Sequence, residues 1–302
     1  MASERDLVIV ELHGRLGNQL FQYASGVGVS RRRGATLRFR SDRVAPGDLL
    51  LPRLVGERYQ EVTPQELRSV GHVSDGTARS RLEHRVLLRA TRAVRKAQHR
   101  TPPAIAVWER PGIYRPWVFD TDLPVYLQGH LQSERYFEDV ADDIASSIRF
   151  PAGLAALPSD VGRTLGLSFR RGDYNSLGWA LPLEYYDEAV ELVTARTPVD
   201  TIVLFGDDTA FLQLAATRFD RSARVVDAVQ LGADPLTQLQ LLAACDHCVM
   251  ANSSFAWWGA WLGDHRSRNE ARVVVSPAEY GEGNDRLPAR WLTLPTATPT
   301  EI

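Results

Sequence analysis

The sequence predicts an α/β fold in two domains, and three observations carry that reading. Short apolar runs rich in Val, Ile and Leu recur along the 302 residues, each bounded by turn residues. Helical patterns lie between them. A break at 151–159 (PAGLAALPS) separates two such series. Continuous apolar runs of this kind suit strands buried on both faces, as in a parallel sheet. Their alternation with helices argues for α/β architecture. The break sets an N-terminal domain at 1–152 and a C-terminal domain at 153–302, with a ligand expected in the cleft between them.

The expected strands run in order along the chain. Residues 7–12 (LVIVEL) are the first and residues 125–128 the second. Then come 165–169 (LGLSF), 201–205 (TIVLF), 248–251 (CVMA) and 272–275 (RVVV). Residues 183–194 carry apolar positions at helical spacing. Residues 236–244 (LTQLQLLAA) follow an Asp-Pro pair that suits a helix start. A third helix is expected through 255–262.

Composition narrows the class. Hydrophobic residues make up 44% and charged residues 24%, enough apolar material for two cores. A net charge of −2 gives no global pull toward nucleic acid. Cysteine occurs only at Cys245 and Cys248, which suits a reducing compartment better than a disulfide framework. The opening MASERDLVIVEL has no apolar run long enough for a signal peptide, and no run of 18 apolar residues follows. A cytoplasmic protein is expected, with a possible peripheral position on the inner face of the plasma membrane.

Four polar segments each follow an expected strand. They are 13–19 (HGRLGNQ), 170–174 (RRGDY), 206–208 (GDD) and 252–255 (NSSF). In open α/β sheets ligands bind outside the carboxyl ends of the strands. Arg170 and Arg171 are fixed cations with forked donors suited to phosphate. Asn252, Ser253 and Ser254 stand where a strand turns into a helix, a natural anion site. Gly14 and Gly17 allow close backbone approach, with Asn18 and Gln19 beside them. Together these read as a diphosphate site that uses protein charge and no metal. Taken singly, each has a plainer reading: a surface ion-pair face for the arginines, a helix cap for Asn252 to Ser254, a tight turn for the glycines. No GKS or GKT ending marks a P-loop, and the dinucleotide fingerprint spacing is missing.

The same segments resemble a known family. GRLGNQLFQYA at 14–24 resembles the N-terminal motif of the bacterial and animal α-1,2-fucosyltransferases. QGHLQSERYF at 128–137 is similar to their GYxQSExYF stretch, and SFRRGDY at 168–174 to HxRRGDY. LFGDD at 204–208 resembles FSDD, and ANSSFAWWGAWL at 251–262 is nearly identical to ANSSFSWWGAWL. The resemblance implies a GT-B fold of two Rossmann-like domains facing a cleft. It implies GDP-fucose as donor, inversion at the anomeric carbon, no metal cofactor, and the 2-hydroxyl of a galactoside glycan as acceptor. It assigns Arg170 and Arg171 to the donor β-phosphate, Asp208 to the guanosine, and Ser253 and Ser254 to the phosphates. Asp173 is the nearest candidate for the base that takes the acceptor proton; the alternative is that it only orients an arginine or the loop. The chain departs from the pattern at Ser168, where the family has His, at Gly206 for Ser, and at His130 for Tyr. Ser168 keeps another GDP-deoxysugar open as donor. A non-catalytic glycan-binding protein built on the Trp cluster is the third reading.

Other signals have plain explanations. CDHC at 245–248 has metal-like spacing but no second pair of ligands. RGD at 171–173 lacks a secreted context, and Asp120 and Asp122 of a DxD triplet stand away from the four segments. Trp257, Trp258 and Trp261 are spaced to pack a helix into the core. Residues 79–100 hold eight Arg or Lys against one Glu, with Leu82, Val86, Ala90, Ala93 and Ala97 on one helical face. Such a helix suits either solvent or an anionic membrane carrying a lipid-linked acceptor.

Overall fold

The computed structural model describes residues 7–69, 105–108, 114–120, 124–219, 224–266, 271–279 and 286–296. The basic stretch 79–100 and most of the DxD triplet lie outside them. The chain divides into two compact units, Met1–Val140 and Ala141–Ile302. The division falls before the break expected at 151–159.

The first unit runs β1 (Leu7–Glu11), α1 (Leu16–Arg33), β2 (Thr36–Arg40), α2 (Leu51–Val55), α3 (Pro64–Ser69), β3 (Ile105–Trp108) and β4 (Val125–Gln128). Its described strands are all parallel in the order β2-β1-β4-β3. The central strands β1 and β4 are buried along their whole length, which is why both read as apolar runs up to a polar last residue, Glu11 and Gln128. Edge strand β2 (TLRFR) is mostly half-buried and alternates polar with apolar residues, so its sequence carries no such run. Helix α1 shows little amphipathicity because it is buried on nearly all sides. Its inward polar residues Gln19, Gln22 and Ser25 have no exposure and each makes hydrogen bonds, as burial requires. Three arginines, Arg31 to Arg33, end it against the helix dipole.

At the carboxyl end of β1, Glu11 is buried. It accepts from the Tyr126 hydroxyl at 2.7 Å and faces Arg40 at 3.6 Å. Burial beside that carboxylate pushes the Tyr126 phenol well up, so it remains a donor.

The second unit opens with α4 (Ala141–Ser147) and continues β5 (Thr164–Ser168), α5 (Gly172–Leu177), α6 (Leu183–Thr194), β6 (Thr201–Phe205) and α7 (Thr209–Phe219). Then follow β7 (Arg224–Asp227), α8 (Ala228–Leu231), α9 (Pro235–Ala244), β8 (His247–Val249), α10 (Ser254–Arg266), β9 (Val274–Pro277) and β10 (Leu292–Leu294). Its described strands are all parallel, in the order β10-β9-β8-β5-β6-β7. Leu165 and Leu167 of β5 pack with Tyr185, Ala189 and Val193 of α6 on one face. Gly166, between them, faces Leu242 of α9 and Cys245 on the other. Period-two alternation of this kind covers both faces of the sheet. Each fully buried Leu or Val adds about 1.5–3 kcal/mol. The start of α9 follows its sequence signal: Asp234 accepts from the backbone N–H of Leu236 and Thr237, and Pro235 takes the first turn.

Trp257, Trp258 and Trp261 have no exposed surface, in a stretch of α10 that is buried on every side, and their rings pack against one another, stacked or edge to face. Cys245 and Cys248 are free and buried, and burial pushes the Cys248 thiol up to about 12. Among the described residues no helix is long and apolar enough to cross a membrane.

Candidate functional site

Strand order decides where the site falls in the second unit. β5, β6 and β7 lie successively toward one edge, and β8, β9 and β10 toward the other. The winding therefore reverses between β5 and β8. In a parallel sheet the loops leaving two such strands diverge and leave a crevice at their carboxyl ends. Arg170 and Arg171 follow β5, and Asn252 to Ser254 follow β8. β6, the other neighbour of β5, delivers Asp207 and Asp208. Three of the four polar segments thus leave adjacent strands at the same end.

Arg170 is held by two carboxylates. It forms ion pairs with Asp207 and with Asp173, and its guanidinium lies 5.2 Å from the centre of the Tyr174 ring. The second oxygen of Asp207 accepts from the backbone N–H of Arg171 at 2.8 Å and of Gly172 at 3.2 Å. A Cβ at Gly172 would stand 2.8 Å from the Asp207 carboxylate, so a glycine is needed for this approach. Arg171 stacks over Phe211 at 4.2 Å and donates to the Leu181 carbonyl. The two guanidiniums are thus fixed in place by different devices, an ionic one and an aromatic one.

Asp208, expected at the guanosine, is half-buried. It accepts from the Phe211 N–H at 3.0 Å and so starts α7. Asp207 is the residue the sequence reading missed. Its only signal was its place beside Asp208, and nothing local distinguishes the two carboxylates. Asp173 is 53% exposed and bound to Arg170.

The β8 segment is fixed from both sides. The Asn252 side chain donates to the Trp179 carbonyl at 2.9 Å, and its own carbonyl accepts from the Tyr174 hydroxyl at 3.3 Å. Burial pushes the Tyr174 phenol up, with Arg170 opposing, so the hydroxyl stays a donor. Ser253 is buried and its hydroxyl accepts from the Phe255 N–H at 3.2 Å, which makes it the cap of the 13-residue α10. Ser254 is the first helical residue and is half-buried. Backbone N–H groups at this helix start and two serines give an anion-binding geometry. Ser168, in place of the family His, is buried, and its carbonyl accepts from the Tyr186 hydroxyl at 3.0 Å. Among the described residues no group of three or more His, Cys, Asp or Glu gathers where it could hold a metal ion.

The first segment belongs to the first unit and is built as a loop bracket. Gly14 has φ +73°, and a Cβ there would meet the Asn18 amide at 2.5 Å. Gly17 is buried in the first turn of α1. Asn18 is half-buried and accepts from the Gln132 side chain at 3.0 Å. Gln19 is fully buried. It donates to the carbonyls of Gly14 and Asp48 and accepts from the N–H groups of Leu50 and Leu51. That commits the whole amide to the backbone, so the ligand contact expected at Gln19 gives way to a bracket holding residues 48–51. His13 and His130 face each other at the ends of β1 and β4, ring centres 4.8 Å apart. Burial holds the His13 ring below its usual range, hence neutral.

Comparison with known proteins adds the family. The model of glycosyl transferase family 11 matches residues 114–291. An O-antigen biosynthesis glycosyltransferase of Escherichia coli, WbnK, is 28% identical over 129 residues, a match that spans 41% of each chain and so less than half of that relative. An α-1,2-colitosyltransferase of Escherichia coli is 23% identical over 95% of this chain and 99% of its own. Among solved structures, POFUT1 in complex with GDP is similar over 91% of this chain and 99% of its own, with a TM-score of 0.52 at 12% identity. That likeness speaks for the fold alone, and the two α/β units of parallel strands are of the GT-B type.

Proposed function

The chain belongs to glycosyl transferase family 11, and from that premise we propose that it transfers L-fucose from GDP-fucose to the 2-hydroxyl of a galactoside, with inversion. One observation carries the donor half of this reading. The arginine pair and the Asn-Ser-Ser helix start leave β5 and β8, the two strands between which the winding reverses. In this reading the donor diphosphate lies at the start of α10, against Ser253, Ser254 and the helix N–H groups, with Arg170 and Arg171 at the β-phosphate. As the acceptor oxygen attacks the anomeric carbon, the bond to the β-phosphate oxygen breaks and negative charge builds there. Cations held rigid beforehand stabilise that charge without reorganising. We assign Asp208 to the guanosine, Asn252 to the orientation of the loop, and Asp173 to the acceptor proton once a substrate displaces it from Arg170. Acceptor recognition falls to the first unit. A lipid-linked acceptor would bring the basic stretch 79–100 to the membrane surface.

A second reading has its own support. The relative matched over almost its whole length is named for colitose, and Ser168 removes a family side chain beside the expected base pocket. A different GDP-deoxysugar is therefore the alternative donor. Titration calorimetry with GDP, GDP-fucose, GDP-mannose and UDP-galactose in EDTA, followed by transfer assays on lactose, tests both. Binding of GDP-fucose alone with transfer to lactose supports the first reading. Binding of GDP but discrimination against GDP-fucose moves the donor to another deoxysugar. A chain that binds none of them is not a GDP-sugar transferase.

A further inference from the structure

The tryptophans singled out in the sequence are buried, but another is not. Trp179 is 56% exposed, and Leu177, two residues earlier, is 51% exposed. Exposure alone is ordinary for an apolar side chain; what sets Trp179 apart is how it is held.

The exposure of Trp179 is not that of a loose loop. Its backbone N–H donates to the Tyr174 carbonyl at 2.9 Å, and its carbonyl accepts from the Asn252 side chain at 2.9 Å. The Tyr174 ring stands at 89° to the indole, ring centres 5.6 Å apart. Tyr174 in turn lies under the Arg170 guanidinium and donates to the Asn252 carbonyl. One aromatic ring thus links the diphosphate-binding arginine to the exposed indole. Both loops that hold Trp179 leave β5 and β8, at the reversal of the winding.

We infer that Trp179, braced by Tyr174, is the stacking platform for a sugar ring of the substrates. The inference rests on the sugar-transfer reading above and adds the residue that receives the ring. The C–H face of a pyranose carries partial positive charge and is apolar, which matches the negative face of an indole. A nearby fixed cation and the Asn252 amide supply the polar rim that such sites use to orient a ring. Either the donor sugar or the acceptor galactoside could be that ring.

Tryptophan emission of the full-length protein distinguishes the two. Wild type and Trp179→Phe are titrated with GDP, with GDP-fucose, and with lactose in the presence of GDP. The expected result is an emission change with GDP-fucose or with lactose that GDP alone does not give and that Trp179→Phe largely abolishes. Trp179→Ala then raises the KM of that same substrate about tenfold, the scale of one aromatic contact, while Trp179→Phe restores most of it. The inference is overturned if GDP alone gives the full Trp179-dependent change, since the platform would then serve the base. It is also overturned if neither sugar ligand gives such a change although calorimetry shows that GDP-fucose binds. Absence of GDP-fucose binding to wild type removes the fucose donor reading itself and the inference with it.

Discussion

Asp207 grips Arg170 with one carboxylate oxygen while its other oxygen accepts from the backbone of Arg171 and Gly172. One side chain from the end of β6 therefore sets both the guanidinium and the turn that carries it. Asp207→Asn keeps an acceptor for the backbone and removes the charge. Charge-assisted hydrogen bonds contribute about 1.5–3 kcal/mol, less where solvent reaches them, as it does here. We expect kcat for sugar transfer to fall about tenfold to a hundredfold with the melting temperature little changed. Steady-state kinetics beside thermal melts checks this; wild-type kcat in the variant would leave Arg170 fixed by Asp173 alone.

Arg171 depends on shape more than charge. Its planar guanidinium lies over Phe211 and reaches the Leu181 carbonyl. Lysine keeps the charge but can neither stack flat nor fork its donors. Arg171→Lys should weaken GDP binding about tenfold, or about 1.4 kcal/mol. Calorimetry reads this directly, and an unchanged Kd would assign Arg171 to the fold.

Gly28 tests the packing of the first unit. A Cβ at this position would stand 2.0 Å from the Tyr136 carbonyl oxygen, which is backbone and cannot swing aside. Alanine is otherwise the better helix former by about 1 kcal/mol. The clash should win: Gly28→Ala is expected to destabilise by about 1–3 kcal/mol, read as a lower midpoint in urea. A stabilised variant would mean that α1 can shift away from residues 134–137 at no cost.

His247 ties stability to pH. The ring is fully buried in β8, and its Nδ1 accepts from the Val273 N–H at 3.1 Å. Burial lowers its pKa from 6.5; Asp246 opposes, and Arg272 and Arg163 add to the lowering. The folded state thus favours the neutral ring. Its contribution is fully present above about 6.5 and is lost as pH falls below that toward the lowered folded value. His247→Asn, which keeps an acceptor near Nδ1, should flatten the fall in unfolding free energy between pH 7 and pH 5. Equal slopes in wild type and variant would show that other groups carry the acid dependence.

The amino-acid sequence by itself determined the α/β class, the central strands and the chemistry of the polar loops. Runs such as TIVLF at β6 and the Leu183–Thr194 helix follow from local periodicity and burial, which neighbouring residues encode. Edge strands β2, β7 and β10 escaped because they are only partly buried and so carry no continuous apolar run. Tertiary structure alone decided that β8 lies beside β5, because strand pairing joins residues about eighty positions apart that no local pattern links. The same holds for Asp207 over Asp208 as the partner of Arg170, and for Gln19 turning inward to the 48–51 loop. It also decided that Trp179, and not the three tryptophans of α10, meets solvent. Residue types fix what a side chain can do, but which partner it meets depends on how distant segments pack.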